Sequence, residues 1–224
     1  MELSDQEKNN ISRIGFDLDN TLYPSTPEMQ SKIRERIYEI LSKKLDIEVE
    51  KAKELFEENY KGQYQWSHSG TRTVQHLAEQ YGKIIEIDVV QVAMETADIL
   101  DFIKPNKKVV SMFEKLSKKH GLDLITGSNP EPARQKLQRI GLDPDIFGCF
   151  FANAGSKTSG EVYQRWLDKI KFPASKLLYV GDNVKQDILA PQRLGIKTCL
   201  VGEQRPEARL WIPNILDLEK ILMS

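Results

Sequence analysis

Residues 14–22 read IGFDLDNTL, a short apolar run that passes directly into closely spaced carboxylates. The apolar letters of IGFDL predict a buried strand. Asp17 and Asp19 are two positions apart, so on an extended chain their side chains point the same way, while Leu18 points into the core. Two carboxylates this close repel each other unless a cation compensates them. The stretch therefore predicts a strand whose carboxyl end carries a paired-acid site.

The remainder of the chain after residue 102 alternates helices with short apolar strands. The predicted strands are LDLIT, CFFAN, KLLYVGD and IKTCLV. Strands joined by helices favour right-handed crossovers and a parallel sheet, and a run such as LLYV is typical of a sheet covered on both faces. We therefore predict an α/β fold with a Rossmann-like parallel sheet. Pro191 falls inside the last predicted crossover helix and should kink it.

Residues 23–101 read as helix only. Apolar side chains recur at helical spacing in about four segments, and each set predicts one stripe facing a shared core. Thr26 and Pro27 predict a helix start with proline at the first helical position. We therefore expect an α/β core domain formed by residues 1–22 and 102–224, with an inserted α-helical bundle at 23–101.

Polar side chains follow the predicted strands at the edge where an open parallel sheet binds ligands. Mg²⁺ prefers oxygen ligands and keeps several waters. The predicted metal site consists of Asp17, the backbone carbonyl of Asp19, and Asp182, with Asp187 or Asn183 holding a coordinated water.

Phosphoryl transfer is the chemistry that this edge predicts. Asp17 would attack phosphorus to form an aspartyl-phosphate, and Asp19 would be the general acid and base. The hydroxyl of Thr126, the amide of Gly127 and the ammonium of Lys157 would hold the phosphoryl oxygens. Lys185 is the rival cation. The predicted catalytic residues are Asp17, Asp19, Thr126 and Lys157, and the predicted substrate-binding residues are Leu18, Thr126, Gly127 and Lys157.

Four strings in order resemble the four motifs of the haloacid dehalogenase-like superfamily: DLDNT, ITGSN, SKTSGEVYQRW and GDNVKQD. The resemblance implies a Mg²⁺-dependent phosphatase with Asp17 as nucleophile. The third string keeps Lys157 and Tyr163 but replaces both prolines of the family pattern. Gly127 stands where many relatives have Asn. The presence of Asp19 favours phosphoryl chemistry over dehalogenation, because the resemblance implies that dehalogenases lack this second acid.

The string DLDNTLYP followed by a helical insert is similar to a pyrimidine 5′-nucleotidase-like subgroup with a helical C1-type cap. The segment around Tyr60, Tyr64, Trp66 and His68 could stack on a nucleobase and hydrogen-bond its edge, or serve only inter-helix packing. Closure of such a cap would exclude water from the site. The substrate candidates are a nucleoside 5′-monophosphate, a sugar phosphate and phosphoglycolate.

Composition limits the other function classes. The 32 basic and 33 acidic side chains give a formal net charge of −1, so no overall field draws the chain to nucleic acid or an anionic membrane. The N-terminus is polar, and no stretch approaches the ~20 apolar residues that span a bilayer. Cys149 and Cys199 are expected to be buried thiols, although one disulfide stays open. We expect a soluble cytoplasmic protein whose partner is a small phosphorylated metabolite, with its oligomeric state open.

The same residues raise three alternatives to a phosphatase. A phosphomutase also keeps the second acid and a helical cap. A non-catalytic phosphometabolite-binding protein on the same fold is disfavoured because Asp17, Asp19, Lys157 and Asp182 are all intact. A P-loop around Lys157 fails because the glycine spacing is wrong.

Overall fold

The computed structural model describes residues 4–63 and 69–223, and the chain divides into two compact units. The first unit comprises the chain up to Pro24 together with the part from Ile103 onward. The second unit is Ser25–Phe102. Each unit is built around its own core.

A six-stranded parallel sheet forms the centre of the first unit, in the order β3-β2-β1-β4-β5-β6. The strands are β1 Arg13–Phe16, β2 Gly121–Thr126, β3 Cys149–Ala152, β4 Leu177–Gly181, β5 Lys197–Val201 and β6 Leu210–Ile212. The predicted α/β fold with a parallel sheet is confirmed. The edge strand β6 was not predicted, because its three residues are too few to give a periodic signal in the sequence.

Helices make up most of the remaining described chain. Their bounds are α1 Asp5–Asn9, α2 Pro27–Leu45, α3 Val49–Gln63, α4 Ser69–Gln80, α5 Val89–Thr96, α6 Lys107–Ser117, α7 Pro130–Ile140, α8 Glu161–Ile170, α9 Ala190–Gln192 and α10 Asp217–Met223. In the second unit, α2 to α5 share an apolar core that includes Leu41, Phe56 and Leu77. The Thr26 side chain accepts a hydrogen bond from the Met29 amide, and Pro27 is the first helical residue, as predicted.

Close packing of α8 against the sheet explains a glycine in β1. A Cβ at Gly15 would lie 2.9 Å from ring atoms of both Trp166 and Tyr179, so only glycine fits there. The Trp166 indole donates to the buried carboxylate of Asp123 at 2.9 Å, and Arg13 donates to the same carboxylate at 2.5 and 2.8 Å. These contacts fix β1, β2 and α8 relative to one another and hold the strand that leads into Asp17.

The segment around Pro191 is helical but irregular. Val184–Leu189 is π-helical and continues directly into the short α9, which contains Pro191, with helical backbone angles at Leu189 and Ala190. A proline inside a helix removes one backbone hydrogen bond, and a π-helical turn before it is compatible with that loss. The two cysteines are free thiols, with Cys199 buried and Cys149 half-buried. Among the described residues, no helix is both long and apolar enough to cross a membrane.

Candidate active site

The strand order reverses at β1, which lies between β2 and β4. A crevice forms at the carboxyl ends of strands where such a reversal occurs, and ligands bind there. Asp17 directly follows β1, Thr126 ends β2, and Asp182 directly follows β4. The topology thus brings three of the predicted site residues to one edge of the sheet.

Asp17 is buried at this edge and held by two donors. Lys157 Nζ lies 2.7 Å from its Oδ1, and the Thr21 hydroxyl donates to its Oδ2 at 3.1 Å. Burial raises the pKa of the Asp17 carboxyl to about 6, against the opposing charge of Lys157, and repulsion from Asp187 and Asp19 adds to the rise. The group is therefore poorly compensated by protein atoms alone.

Asp187 lies on the π-helical turn and is held by three donors. Its Oδ1 is 2.6 Å from Lys157 Nζ and accepts from the Tyr163 hydroxyl at 3.3 Å. Its Oδ2 accepts from the Asn183 amide at 2.9 Å. A Cβ at Gly181 would lie 2.5 Å from the Asp187 side chain, so the end of β4 must be glycine for this carboxylate to reach the site.

Asp182 completes the acidic cluster. Burial raises the pKa of its carboxyl to about 8, and repulsion from Asp17 and Asp187 contributes to the rise. One carboxylate oxygen from each of these three residues lies within 4.8 Å of the other two. Such separations allow one ion to contact all three oxygens.

The charge of the cluster matches a divalent cation. Three carboxylates surround one ammonium, that of Lys157, which leaves two negative charges when all groups are ionised. The donors are hard oxygens, the kind that Mg²⁺ prefers. The residues therefore fit a divalent metal site. The Asn183 side-chain oxygen accepts from the amides of Lys185 and Gln186 and so caps the π-helical turn that carries Asp187.

Asp19 lies outside that cluster and has its own set of donors. Lys136 Nζ is 2.6 Å from its Oδ1, the Tyr23 hydroxyl donates to the same oxygen, and the Ser128 hydroxyl donates to Oδ2 at 2.8 Å. Burial opposes ionisation of Asp19. The charge of Lys136 and the hydrogen bonds from Lys136, Tyr23 and Ser128 outweigh it, so the pKa of this carboxyl is lowered.

The lysine that lies beside the carboxylates is Lys157 and not Lys185. Lys157 is buried between Asp17 and Asp187, whereas the Lys185 side chain is exposed to solvent. Burial disfavours the charged ammonium, but Asp17 and Asp187 more than compensate and hold the Lys157 pKa well above its usual value. Lys157 therefore lies among the carboxylates as a charged group.

Two further predicted positions lie at the end of β2. The Thr126 hydroxyl is buried and accepts a hydrogen bond from the Ser128 amide at 3.1 Å, which satisfies that backbone N–H. A Cβ at Gly127 would meet no atom within 4 Å, so the space in front of this residue is open. Leu18 has a fully buried side chain, as the alternation of the strand predicted.

Sequence reasoning missed the residues that support Asp19 and Asp187. Tyr23, Ser128 and Lys136 contact Asp19, and Gly181 makes room for Asp187. For Lys136 a signal was available, because it falls between Ala133 and Ile140 on the buried stripe of α7, next to Leu137. A lysine on an apolar stripe must find a buried counter-charge. The sequence could not show that this counter-charge is Asp19, which lies 117 positions earlier.

Sequence comparison matches residues 11–195 to the haloacid dehalogenase-like hydrolase family. The chain belongs to this family. The match covers every residue of the acidic cluster and both buried lysines. The protein is accordingly a hydrolase of the haloacid dehalogenase-like type.

Individual relatives agree with this assignment. A glyceraldehyde 3-phosphate phosphatase from Methanocaldococcus jannaschii is 26% identical over 193 residues, which are 84% of this chain and 83% of the relative. Among solved structures, a HAD phosphatase from Thermococcus onnurineus has a TM-score of 0.65 at 20% identity and covers 95% of this chain and 98% of its own. The HAD-hydrolase YfnB from Bacillus subtilis, bound to magnesium, has a TM-score of 0.60 at 18% identity, covering 96% and 99%. The two structures support the fold.

The predicted nucleobase contacts in the helical unit fall mostly on residues 64–68, which lie outside the described part of the chain. Tyr60 is described, and its ring stacks on Phe56 with centroids 5.5 Å apart. The guanidinium of Arg34 lies 4.9 Å from the centre of the Tyr60 ring and also pairs with Glu57 at 2.8 Å. These contacts agree with the packing alternative for Tyr60.

Proposed function

We propose that the protein is a Mg²⁺-dependent phosphatase that hydrolyses a small phosphomonoester through an aspartyl-phosphate on Asp17. One observation carries the proposal. Asp17, Asp182 and Asp187 present three carboxylate oxygens to one another around a single ammonium, and this leaves two negative charges to be compensated. A divalent cation restores the balance and, when bound, draws the phosphoryl oxygens toward Asp17 and neutralises their charge.

The proposed nucleophile is suited to its role by its surroundings. Lys157 and Thr21 hold both oxygens of Asp17, which orients the carboxylate at the end of β1. In the first step an Asp17 oxygen bonds to phosphorus and the ester P–O bond breaks. The leaving oxygen takes a proton from Asp19. Because Lys136, Tyr23 and Ser128 favour the ionised carboxylate in the free protein, Asp19 must take up that proton when the substrate binds. In the second step Asp19 accepts a proton from water, the water oxygen bonds to phosphorus, and the bond from phosphorus to Asp17 breaks.

The phosphoryl-binding residues follow from the same edge of the sheet. We propose that Lys157, the Thr126 hydroxyl and the backbone around Leu18 and Gly127 contact the phosphoryl oxygens. The Thr126 oxygen accepts from the Ser128 amide, and its O–H would donate to the phosphoryl group. The open space at Gly127 supports the proposal that the phosphoryl group lies there. Mg²⁺ would be held by Asp17, the Asp19 carbonyl and Asp182, and Asp187 would hold a water bound to the metal.

The substrate class is a phosphorylated metabolite. The phosphatase relative named above acts on glyceraldehyde 3-phosphate, which places three-carbon phosphates first among candidates. Nucleoside 5′-monophosphates, sugar phosphates and phosphoglycolate follow from the sequence reasoning. We propose that residues 23–101 act as a helical cap that sets this choice and excludes water from the aspartyl-phosphate.

A phosphate-release screen tests the proposal. These alkyl phosphates and p-nitrophenyl phosphate are assayed with metal-free protein, with Mg²⁺ and with Ca²⁺, beside the variants Asp17→Asn and Lys115→Met. Lys115 lies on α6 and pairs with Glu219, outside the described acidic cluster. Mg²⁺-dependent release by wild type and Lys115→Met, and none by Asp17→Asn, is the expected result. Release that persists in Asp17→Asn, or that yields an isomerised phosphate ester instead of free phosphate, contradicts it.

A further inference from the structure

Helix α7 carries a lysine in the core of the first unit. Lys136 is 1% exposed and lies on the same face of the helix as the buried residues Ala133, Leu137 and Ile140. An ammonium in such a place loses its hydration, and this costs several kcal/mol unless fixed partners replace the water. A lysine retained there must be held by specific contacts.

The contacts of Lys136 converge on one catalytic candidate. Its Nζ is 2.6 Å from Asp19 Oδ1 and donates to the Ser128 hydroxyl at 3.0 Å, and this hydroxyl donates to Asp19 Oδ2 at 2.8 Å. Lys136 thus supports one carboxylate oxygen directly and the other through Ser128. Asp19 keeps 16% of its side chain exposed, whereas Lys136 keeps 2%. The support therefore comes from the core, and the Asp19 side chain keeps some exposure to solvent.

The two buried lysines contact different acids of the site. Lys157 contacts Asp17 and Asp187, and Lys136 contacts Asp19. Asp19 is consequently compensated without taking charge from the three-carboxylate cluster. This leaves its side chain available for chemistry other than metal binding.

We infer that Lys136 is a positioning residue that, with Ser128, fixes the Asp19 carboxylate in the orientation needed to give a proton to the leaving oxygen and take one from water. The inference rests on the proposed phosphatase function. Without Lys136, Asp19 can rotate, and a displacement of about 1 Å in a reacting group costs on the order of a hundredfold in rate. Phosphoryl binding by Asp17, Lys157 and the metal is left in place.

Leaving-group dependence separates this role from a general structural one. An alkoxide needs a proton as the ester P–O bond breaks, whereas p-nitrophenolate leaves without one. The kcat/KM value reports steps up to the first irreversible one, which is transfer of the phosphoryl group to Asp17. Loss of Asp19 positioning should therefore lower kcat/KM for an alkyl phosphate much more than for p-nitrophenyl phosphate.

The experiment compares wild type, Lys136→Met, Lys136→Arg and the control Lys115→Met on p-nitrophenyl phosphate and on the best alkyl phosphate of the screen above. In Lys136→Met, kcat/KM for the alkyl ester should fall at least tenfold more than for the aryl ester, mainly through kcat. Lys136→Arg, which keeps the charge, should recover part of that difference. Lys115→Met should behave like wild type. Equal losses on both esters, or no recovery in Lys136→Arg, would overturn the inference.

Two further measurements distinguish a failure of the Lys136 inference from a failure of the phosphatase proposal. If Lys136→Met does not fold, Ser128→Ala removes the neutral half of the same support. The selective loss on the alkyl ester should then be smaller but of the same sign, and equal losses on both esters count against the inference. If wild type releases phosphate from neither ester, or Asp17→Asn stays active, the phosphatase proposal itself fails and the role of Lys136 fails with it. A wild type that is active and a Lys136→Met that loses both activities equally refutes only the role of Lys136.

Discussion

Replacing Gly181 with alanine should disturb the acidic cluster without touching any charged group. The new Cβ would lie 2.5 Å from both Cβ and Cγ of Asp187 and 2.6 Å from its Oδ2, whereas ordinary contacts begin near 3.4 Å. The Asp187 side chain must therefore move by about 1 Å or the end of β4 must shift, because packed interiors leave little room for relaxation. Movement of Asp187 breaks its contacts with Lys157 and the Asn183 amide.

The expected size of the effect follows from two opposing contributions. Overpacking a well-packed site costs about 1–3 kcal/mol, and replacing glycine with alanine returns about 0.4–1 kcal/mol by restricting the unfolded chain. The free energy of unfolding should therefore fall by about 1–2 kcal/mol. Displacement of a group that orients metal ligands typically weakens metal affinity by about 10–100-fold, so half-maximal activity should require at least tenfold more Mg²⁺.

Urea denaturation and a Mg²⁺ titration of phosphate release measure these two quantities. Gly127→Ala is the matched control for stability, because its Cβ meets no atom within 4 Å and should not lower the free energy of unfolding. Ile196→Val controls for a mild loss of stability within the core, with Mg²⁺ dependence like that of wild type. A Gly181→Ala protein with wild-type stability and wild-type Mg²⁺ dependence would refute the close fit of Gly181 against Asp187.

Three further changes have defined outcomes. Trp166→Phe removes a hydrogen bond to the buried carboxylate of Asp123 and should lower the free energy of unfolding by about 1–3 kcal/mol in urea, with kcat unchanged; an unchanged midpoint contradicts this. Burial lowers the pKa of His120 below its usual 6.5, so the stability that depends on its neutral form is complete above pH 6.5 and is lost as the pH falls below that value. In His120→Asn the free energy of unfolding should therefore fall less steeply with decreasing pH than in wild type. An identical pH dependence counts against this. Lys157→Met leaves three carboxylates without an ammonium, so adding Mg²⁺ to metal-free protein should raise Tm more than in wild type, and an equal or smaller rise speaks against the charge balance.

The sequence allowed the sheet and its functional edge to be predicted because both follow from local patterns. Apolar runs ending in polar residues mark buried strands, and the ends of β1 and β4 carry the acids Asp17 and Asp182 that the structure brings together. The short β6 and the terminal helices α1 and α10 escaped prediction, since three to seven residues give too few periods to distinguish a helix or strand from a loop.

The supports of the site depend on contacts between distant parts of the chain. Lys136 and Asp19 are 117 positions apart, and Arg13 and Asp123 are 110 apart. No spacing rule links such pairs; only the strand order brings them together. The π-helical turn was equally hidden, because its single irregular turn gives no distinct sequence period and places Asp187 through contacts with Tyr163 and Gly181.

Direct detection of the covalent intermediate tests the central claim. The variant Asp19→Asn should still accept the phosphoryl group from p-nitrophenyl phosphate, because that leaving group needs no proton, but it should fail to activate the water that releases it. Acid quenching followed by borohydride reduction converts an aspartyl-phosphate to homoserine, which peptide mass spectrometry locates. We predict homoserine at position 17, dependent on Mg²⁺ and absent in the double variant with Asp17→Asn. Homoserine at another aspartate, or none while p-nitrophenolate is released in a stoichiometric burst, would contradict the assignment of Asp17 as the nucleophile.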